Sequence, residues 1–213
     1  MPDPALTTHE AQLFYDRIGR VYQWLDSFEG EVTKRAEGML ALQPGLRVLN
    51  LGMGSGKQQI QLDHAIQPGG SVFGLDISFS MLKLARQQTA SPVVQADVGV
   101  LPYPACSFDR LCAAYLFDLI PLIQLPNVFA ECFRLTRPGG RLVLISLTEG
   151  INRPSRTLVA IWKFALRISP LACGGCRPVQ LTPLVESSGY SLIQREVFVQ
   201  MALPSEIIAA QKD

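Results

Sequence analysis

Short β-rich runs alternate with helix-patterned segments along most of this 213-residue chain, and that alternation restricts the fold more than any single residue. Strand-like runs fall at 46–51, 71–76, 92–96, 108–115 and 140–147. Helical patterns lie near 56–66, 79–89 and 124–136. Strands separated by helices predict βαβ units and a parallel sheet buried on both faces. Right-handed crossovers then gather the loops that follow the strands at one edge, where α/β proteins bind ligands.

The flanks are read from their punctuation. Residues 9–42 read as helices with a turn near Glu29-Gly30, closed by Gln43-Pro44-Gly45. Arg137-Pro-Gly-Gly140 reads as a tight turn into the apolar run Leu142 to Leu147. Residues 154–168 look helical, and Pro170 to Pro178 form a loop rich in Gly and Cys. A helix near 180–188 ends at Gly189. The runs 190–195 and 197–202 suggest an antiparallel hairpin at the sheet edge. The expected organisation is a single domain over 1–213. It comprises a helical cap (1–42), a ligand-binding core (43–147), an acceptor-side insertion (148–189) and terminal strands (190–213).

Composition narrows the function classes. At 48% apolar and 17% charged residues the chain can build a sizeable core. A formal charge of +1 gives no electrostatic case for nucleic acid as a partner. Cys106, Cys112, Cys132, Cys173 and Cys176 read as reduced thiols. Cys173-Gly-Gly-Cys176 has the spacing of half a zinc or redox site, but no second pair completes it and the histidines are only His9 and His64. No metal is expected. The N-terminus lacks the basic start and apolar core of a signal peptide, and no run is long and apolar enough to span a bilayer. A cytoplasmic protein is expected.

The chemistry concentrates in Val48-Leu-Asn-Leu-Gly52-Met-Gly54-Ser-Gly56-Lys57. A strand run ends in three glycines at alternate positions, which let backbone approach a ligand closely and take positive φ. A dinucleotide fingerprint needs its third glycine at the position of Lys57, so the spacing disfavours a pyrophosphate ligand. Taken alone the loop is equally a bare strand-to-helix turn. Asp76 ends the next run, where a carboxylate accepts hydrogen bonds from a ribose diol. Ser78 is the better cap for the helix at Phe79. Asp97, after the third run, is either an acceptor for an exocyclic amine or a turn residue.

This order of motifs resembles the class I S-adenosylmethionine-dependent methyltransferases. The resemblance covers about 46–147: the glycine loop, Asp76, Gln95-Ala96-Asp97, Ser107-Phe-Asp109 and Arg137-Pro-Gly-Gly140. It implies an α/β, Rossmann-like three-layer sandwich with a mostly parallel seven-stranded sheet and a C-terminal antiparallel hairpin. It also implies S-adenosylmethionine as cofactor. Gly52, Gly54 and Gly56 would lie against its methionine portion. Asp76, with Ile77 beside it, would hold the ribose; Asp97 and Val98 would hold the adenine; Ala114 and Tyr115 would flank the cofactor from the fourth strand. Within the family the chain looks like the small-molecule and lipid branch, including quinone-biosynthesis enzymes. Tyr15-Asp-Arg-Ile-Gly-Arg-Val-Tyr22 resembles the helix that covers the cofactor there, with Tyr15 and Tyr22 facing the sulfonium or carboxylate. The alternative is an amphipathic helix that packs both rings onto the sheet.

Three departures bear on function. Asn50 stands where the family usually carries an acid, which removes a charge from the cofactor's surroundings. Lys57 adds a cation near a cationic cofactor. Asp118 falls where many relatives carry His at the acceptor mouth, making it the candidate general base, or else a cap or surface carboxylate. The helix at 154–168 combines Arg153, Arg156, Lys163 and Arg167 with Trp162 and Phe164. It reads as a membrane-surface or acceptor-side element, or as an ordinary lid with a solvated basic side. The leading expectation is methyl transfer to a small apolar or amphipathic acceptor, such as a quinone precursor or lipid. The competing ones are a non-catalytic protein on the same fold and a nicotinamide-dependent oxidoreductase.

Overall fold

The structure, a computed structural model, describes residues 5–25 and 30–213, and within these not the side chains of 19–25 or Ala172. Seven strands occur among the described residues: β1 (Arg47–Leu51), β2 (Ser71–Asp76), β3 (Val93–Gln95), β4 (Phe108–Ala114), β5 (Thr136–Leu147), β6 (Tyr190–Gln200) and β7 (Leu203–Lys212). The helices are α1 (Thr8–Leu25), α2 (Gly30–Met39), α3 (Lys57–Ala65), α4 (Phe79–Ala85), α5 (Leu125–Leu135), α6 (Arg153–Ile168) and α7 (Thr182–Ser187). The strands form one sheet in the order β3-β2-β1-β4-β5-β7-β6. The first five are parallel, and β7 runs antiparallel to both β5 and β6. The expected Rossmann-like, mostly parallel sheet with a C-terminal hairpin is what the chain forms.

Side-chain alternation at period two divides the core between the two faces of the sheet. Leu49, Leu111, Leu142, Leu144, Ile208 and Ala210 pack under Phe129 and Cys132 of α5. Val48, Cys112, Val143, Ile145, Ile207 and Ala209 pack under Ala36 of α2 and Leu62 of α3. The chain leaves β1 for β2 on one side and later returns to place β4 on its other side. The crevice between those diverging connections lies beyond the carboxyl ends of β1 and β4, which is where this topology places a ligand.

Two local readings need correction. Arg137-Pro-Gly-Gly140 does not form a turn ahead of β5 but a bulge inside it, between the pairs Thr136↔Phe108 and Arg141↔Arg110. Gly139 has φ 73. A Cβ on Gly140 would lie 2.7 Å from Thr136 Cγ2 and 2.8 Å from the Arg137 carbonyl. The C-terminal hairpin turns at Met201-Ala202, with φ 47 and 65, so residues 197–200 continue β6 and the partner strand is 203–212. Two successive left-handed residues suit a two-residue hairpin, but Met-Ala carries none of the usual Asn or Gly signal. The edge strand is therefore β6, and β7 lies inside the sheet.

Candidate functional site

A cleft opens at this crevice, with about 830 Å³ of empty space that includes its open mouth, and a concave site at this point of the fold is where a small molecule is expected to bind. Its floor is made by strand ends. Gly52 and Gly54 leave β1 with φ 62 and 54, and Asp76 and Ile77 end β2. Asp97 and Val98 follow β3, and Ala114 and Tyr115 end β4. Tyr15 of α1 joins from the cover side. Nine of the sequence-predicted residues, Tyr15 among them, therefore line this one cavity, while Asn50, Gly56 and Asp118 lie elsewhere and the Tyr22 side chain lies outside the described residues.

Asp76 organises the floor. One carboxylate oxygen accepts the Gly54 N–H at 2.9 Å and the other accepts the Ser78 N–H at 2.9 Å. The two bonds fix the glycine loop against the end of β2, and the carboxylate still has acceptor capacity for hydroxyls. Burial raises its pKa, opposed by those N–H donors, and the nearby Asp16 charge raises it further. Asp97 is exposed, and its Oδ1 accepts the Gly99 N–H at 2.8 Å. The turn role and the cavity-lining position thus coexist in one residue.

Gly56 supports the loop from behind. It has φ 88 and precedes α3, and a Cβ there would lie 3.0 Å from that of Ala85 in α4. Asn50 is also displaced from its expected role. Period two turns its side chain to the α3 face, where its amide donates to Gln59 Oε1 at 3.3 Å and its carbonyl faces the Cys112 thiol at 3.7 Å. It is 1% exposed. The missing family charge therefore lies beneath the loop and not on the cavity wall. Tyr115, with φ 51, sends its hydroxyl to Ser205 Oγ on β7 at 2.8 Å. Such a backbone conformation costs a non-glycine residue roughly 1–3 kcal/mol and is concentrated at functional sites.

Asp118 is the largest correction. Its carboxyl is fully buried and does not line the cavity, although Leu116, Leu119, Ile120 and Pro121 do. Oδ2 faces the Leu147 N–H at 3.5 Å, and Oδ1 has no hydrogen-bond partner. Burial pushes its pKa up to about 7. The same residue's carbonyl accepts from Arg177 Nη1 at 3.0 Å and from the Arg177 N–H at 3.2 Å; Arg177 Nη2 donates to the Ile120 carbonyl at 2.5 Å. Asp118 belongs to a buried joint that shapes the 119–121 wall, not to a base at the acceptor mouth.

The cover contains residues that sequence reasoning passed over. Asp16 Oδ1 accepts from Ser78 Oγ at 2.6 Å and from the Ser80 N–H at 3.1 Å, latching α1 to the N-terminus of α4. It sits beside Tyr15 in the very segment that suggested a cover helix, but the aromatic residues drew the reading. Segment 173–177 is a strap. Its Cys176 carbonyl accepts Trp162 Nε1 of α6 at 2.8 Å, its Gly174 carbonyl lies 3.5 Å from the Tyr15 hydroxyl, and Arg177 grips the 118–120 loop. No spacing in the sequence announces these contacts. Cys173 and Cys176 are free thiols, and no cluster of metal-ligating side chains occurs among the described residues.

A family model described as a methyltransferase domain matches residues 49–144, spanning the glycine loop, Asp76, Asp97 and β4. Demethylmenaquinone methyltransferase of Anoxybacillus flavithermus is 28% identical over 143 residues, covering 63% of this chain and 58% of that protein. The enzyme of the same name from Listeria monocytogenes strain HCC23 is 30% identical with the same coverage. In motif order and in the matched segment the chain is similar to the class I S-adenosylmethionine-dependent methyltransferases. It spans 58% of the length of these curated relatives. A methyltransferase solved with the Haloferax volcanii Trm112 methyltransferase activator superposes with a TM-score of 0.77 at 15% identity, over 94% of this chain and 96% of that one. The [4+2]-cyclase SpnF superposes at 0.73 and 16% identity, over 100% and 99%. These two likenesses concern the fold alone. The family's cofactor is S-adenosylmethionine, and the donor set fits it: an acceptor carboxylate with spare capacity, two cavity-lining glycines without Cβ, and an aromatic cover residue.

Proposed function

We propose that this methyltransferase-family protein transfers a methyl group from S-adenosylmethionine to a small apolar or amphipathic acceptor, of the quinone-precursor or lipid type. The observation that carries the acceptor class is the division of the cavity. Carboxylates line one part, at Asp76 and Asp97, and Leu6, Leu116, Leu119, Ile120 and Pro121 make an apolar wall elsewhere. The curated relatives named for demethylmenaquinone methylation support the same class.

When bound, S-adenosylmethionine supplies an electrophilic methyl group on sulfur. This chain's residues then align and enclose. Asp76 would accept the ribose hydroxyls, and Asp97 the adenine amine. Gly52 and Gly54 would give close backbone approach to the methionine portion, with Gly56 holding their loop in place. Ile77, Val98 and Ala114 would pack against the cofactor, Tyr115 would shape the end of β4, and Tyr15 would cover it. The apolar wall would exclude water from the acceptor, and in-line alignment would supply the acceleration. With Asp118 outside the cavity, no base is assigned, and the acceptor atom must be nucleophilic as bound. Such acceptors partition into bilayers, so a membrane-peripheral location goes with this reading.

Calorimetry with S-adenosylmethionine, S-adenosylhomocysteine and NADH is expected to show micromolar-range binding of the two sulfur compounds only. Labelled methyl from S-adenosylmethionine is then expected to appear in an apolar fraction of extracted metabolites. Silence from both sulfur compounds would sink the proposal. Binding without any labelled product would favour the non-catalytic reading, which the lack of an assignable base keeps specific.

A further inference from the structure

The outer face of α6 has no role in the site just described, yet its composition is lopsided. The helix carries Arg153, Arg156, Lys163 and Arg167 and no acidic residue, in a chain whose formal charge is only +1. Its inner face is anchored by Ser155, Val159 and Leu166. The opposite face shows Ile161, Phe164 and Ile168, exposed by 61%, 63% and 70%. These three fall at i, i+3 and i+7 and form one stripe. Ile151 before the helix and Leu171 after it are also exposed, which extends the apolar surface past both ends. Arg156, Lys163 and Arg167 each precede a stripe position or its continuation by one residue, so the cations border the stripe along its length. Lys163 pairs with Glu149, whereas Arg153 and Arg167 make no ion pair among the described residues.

We propose that this face of α6 docks on an anionic lipid bilayer. A strip of large apolar side chains bordered by cations, most of them without an acidic partner among the described residues, is the arrangement of a helix lying in a membrane interface. The apolar face enters the acyl boundary while the bases meet phosphate headgroups. A second copy of the chain fits poorly, because a two-fold pairing would set two four-cation helices against each other. The long arginine and lysine stems reach past the helix surface and keep their charges at headgroup level.

The placement serves the cavity. α6 follows β5 and the 115–124 loop follows β4, so both leave neighbouring parallel strands at the same sheet edge. That loop supplies the apolar wall and exposes Leu122 and Ile123 by 51% and 90%. The strap ties Trp162 of α6 to the loop through Cys176 and Arg177. A docked α6 therefore brings the acceptor wall to the surface from which an apolar acceptor would come. This last step rests on the methyltransferase reading; the docking itself does not.

The test is vesicle flotation of the full chain with phosphatidylcholine vesicles, with and without phosphatidylglycerol. The protein is expected to float with the anionic vesicles and to be released by salt. The combined variant I161S/F164S/I168S alters only exposed side chains and is expected to float roughly tenfold less, with an unchanged melting temperature. R153Q/R156Q/R167Q is expected to lose the preference for phosphatidylglycerol. Failure of the wild type to float with either vesicle overturns the proposal, as does equal flotation of the serine variant. Lipid-free self-association that the serine variant abolishes would assign the face to a second copy and overturn it too. S-adenosylmethionine binding, measured on the same proteins, is expected to be equal in all; its absence would strike the methyltransferase reading and leave the flotation result standing.

Discussion

The floor and the cover of the cavity are built on different physical terms. The floor consists of strand ends, and its geometry is set by the sheet register and by backbone donors: the Gly54 and Ser78 N–H groups on Asp76, and the Met53 N–H on the Leu75 carbonyl at 2.9 Å. The cover consists of α1, backed by the strap that links it to α6 and to the 118–120 loop, and is joined by side chains that reach far along the chain. Asp16 meets Ser78, and Arg177 meets the carbonyls of residues 118 and 120. A backbone-defined floor tolerates side-chain change poorly at few positions. A side-chain-defined cover depends on several single residues, each with a separable effect.

The comparison breaks most visibly at Arg177. It is 5% exposed, and Arg177→Leu leaves the Ile120 carbonyl without its donor, leaves the Asp118 carbonyl only the backbone N–H of residue 177, and removes the cation beside a buried carboxyl. Chemical denaturation is expected to show a loss of about 2–4 kcal/mol. A loss below 1 kcal/mol would mean the joint is wet and dispensable. On the floor, Asp76→Ala is expected to weaken S-adenosylmethionine binding by roughly 1–3 kcal/mol by calorimetry, with a smaller loss of stability as the Gly54 loop loosens. Unchanged affinity would move the ribose contact elsewhere.

Asp118 sharpens the contrast through pH. Its folded-state pKa is raised by burial to about 7. The folded state therefore holds a proton that the unfolded chain has released above about pH 4. Stability from this group is present below that unfolded value and falls as pH rises through the folded pKa. Asp118→Asn is expected to flatten the decline between about pH 4 and 7 and to gain about 1–3 kcal/mol at pH 8 relative to wild type. An unaltered pH profile would place water at the carboxyl. The smallest effect is expected at the latch. Asp16→Ala removes both bonds of the latch, to the Ser78 hydroxyl and the Ser80 N–H, and is expected to cost about 1 kcal/mol of stability or less, while speeding both association and release of S-adenosylmethionine in stopped-flow measurements. Equal changes in stability and in both rates of zero would leave the latch without a gating role.

What could be read from the sequence follows the same division. β1, β2 and β4 and the positions of Gly52, Gly54 and Asp76 were legible because they depend on local runs and loop chemistry. Ser78 was legible as a cap, and its Oγ accepts the Met81 N–H at 3.2 Å. Asn50 was found but misassigned, because its face is decided by strand period and its partner Gln59 lies on the next helix. Asp118 was misassigned because nothing within ten residues of it reveals that Arg177 and Leu147 will close over it. The hairpin turn was misplaced because Met201-Ala202 adopts left-handed backbone without the residues that normally favour it.

The place of β7 in the sheet has a kinetic consequence. Residues 203–212 follow β6 in sequence yet they sit between β5 and β6, hydrogen-bonded on both sides. During synthesis, β6 emerges with no sheet edge to join until β7 has also left the ribosome. The nascent chain therefore exposes the unpaired edge of β5 to its surroundings until then. Removing residues 203–212 would not trim a tail. It would delete an interior strand, detach β6 with it and leave a chain prone to self-association.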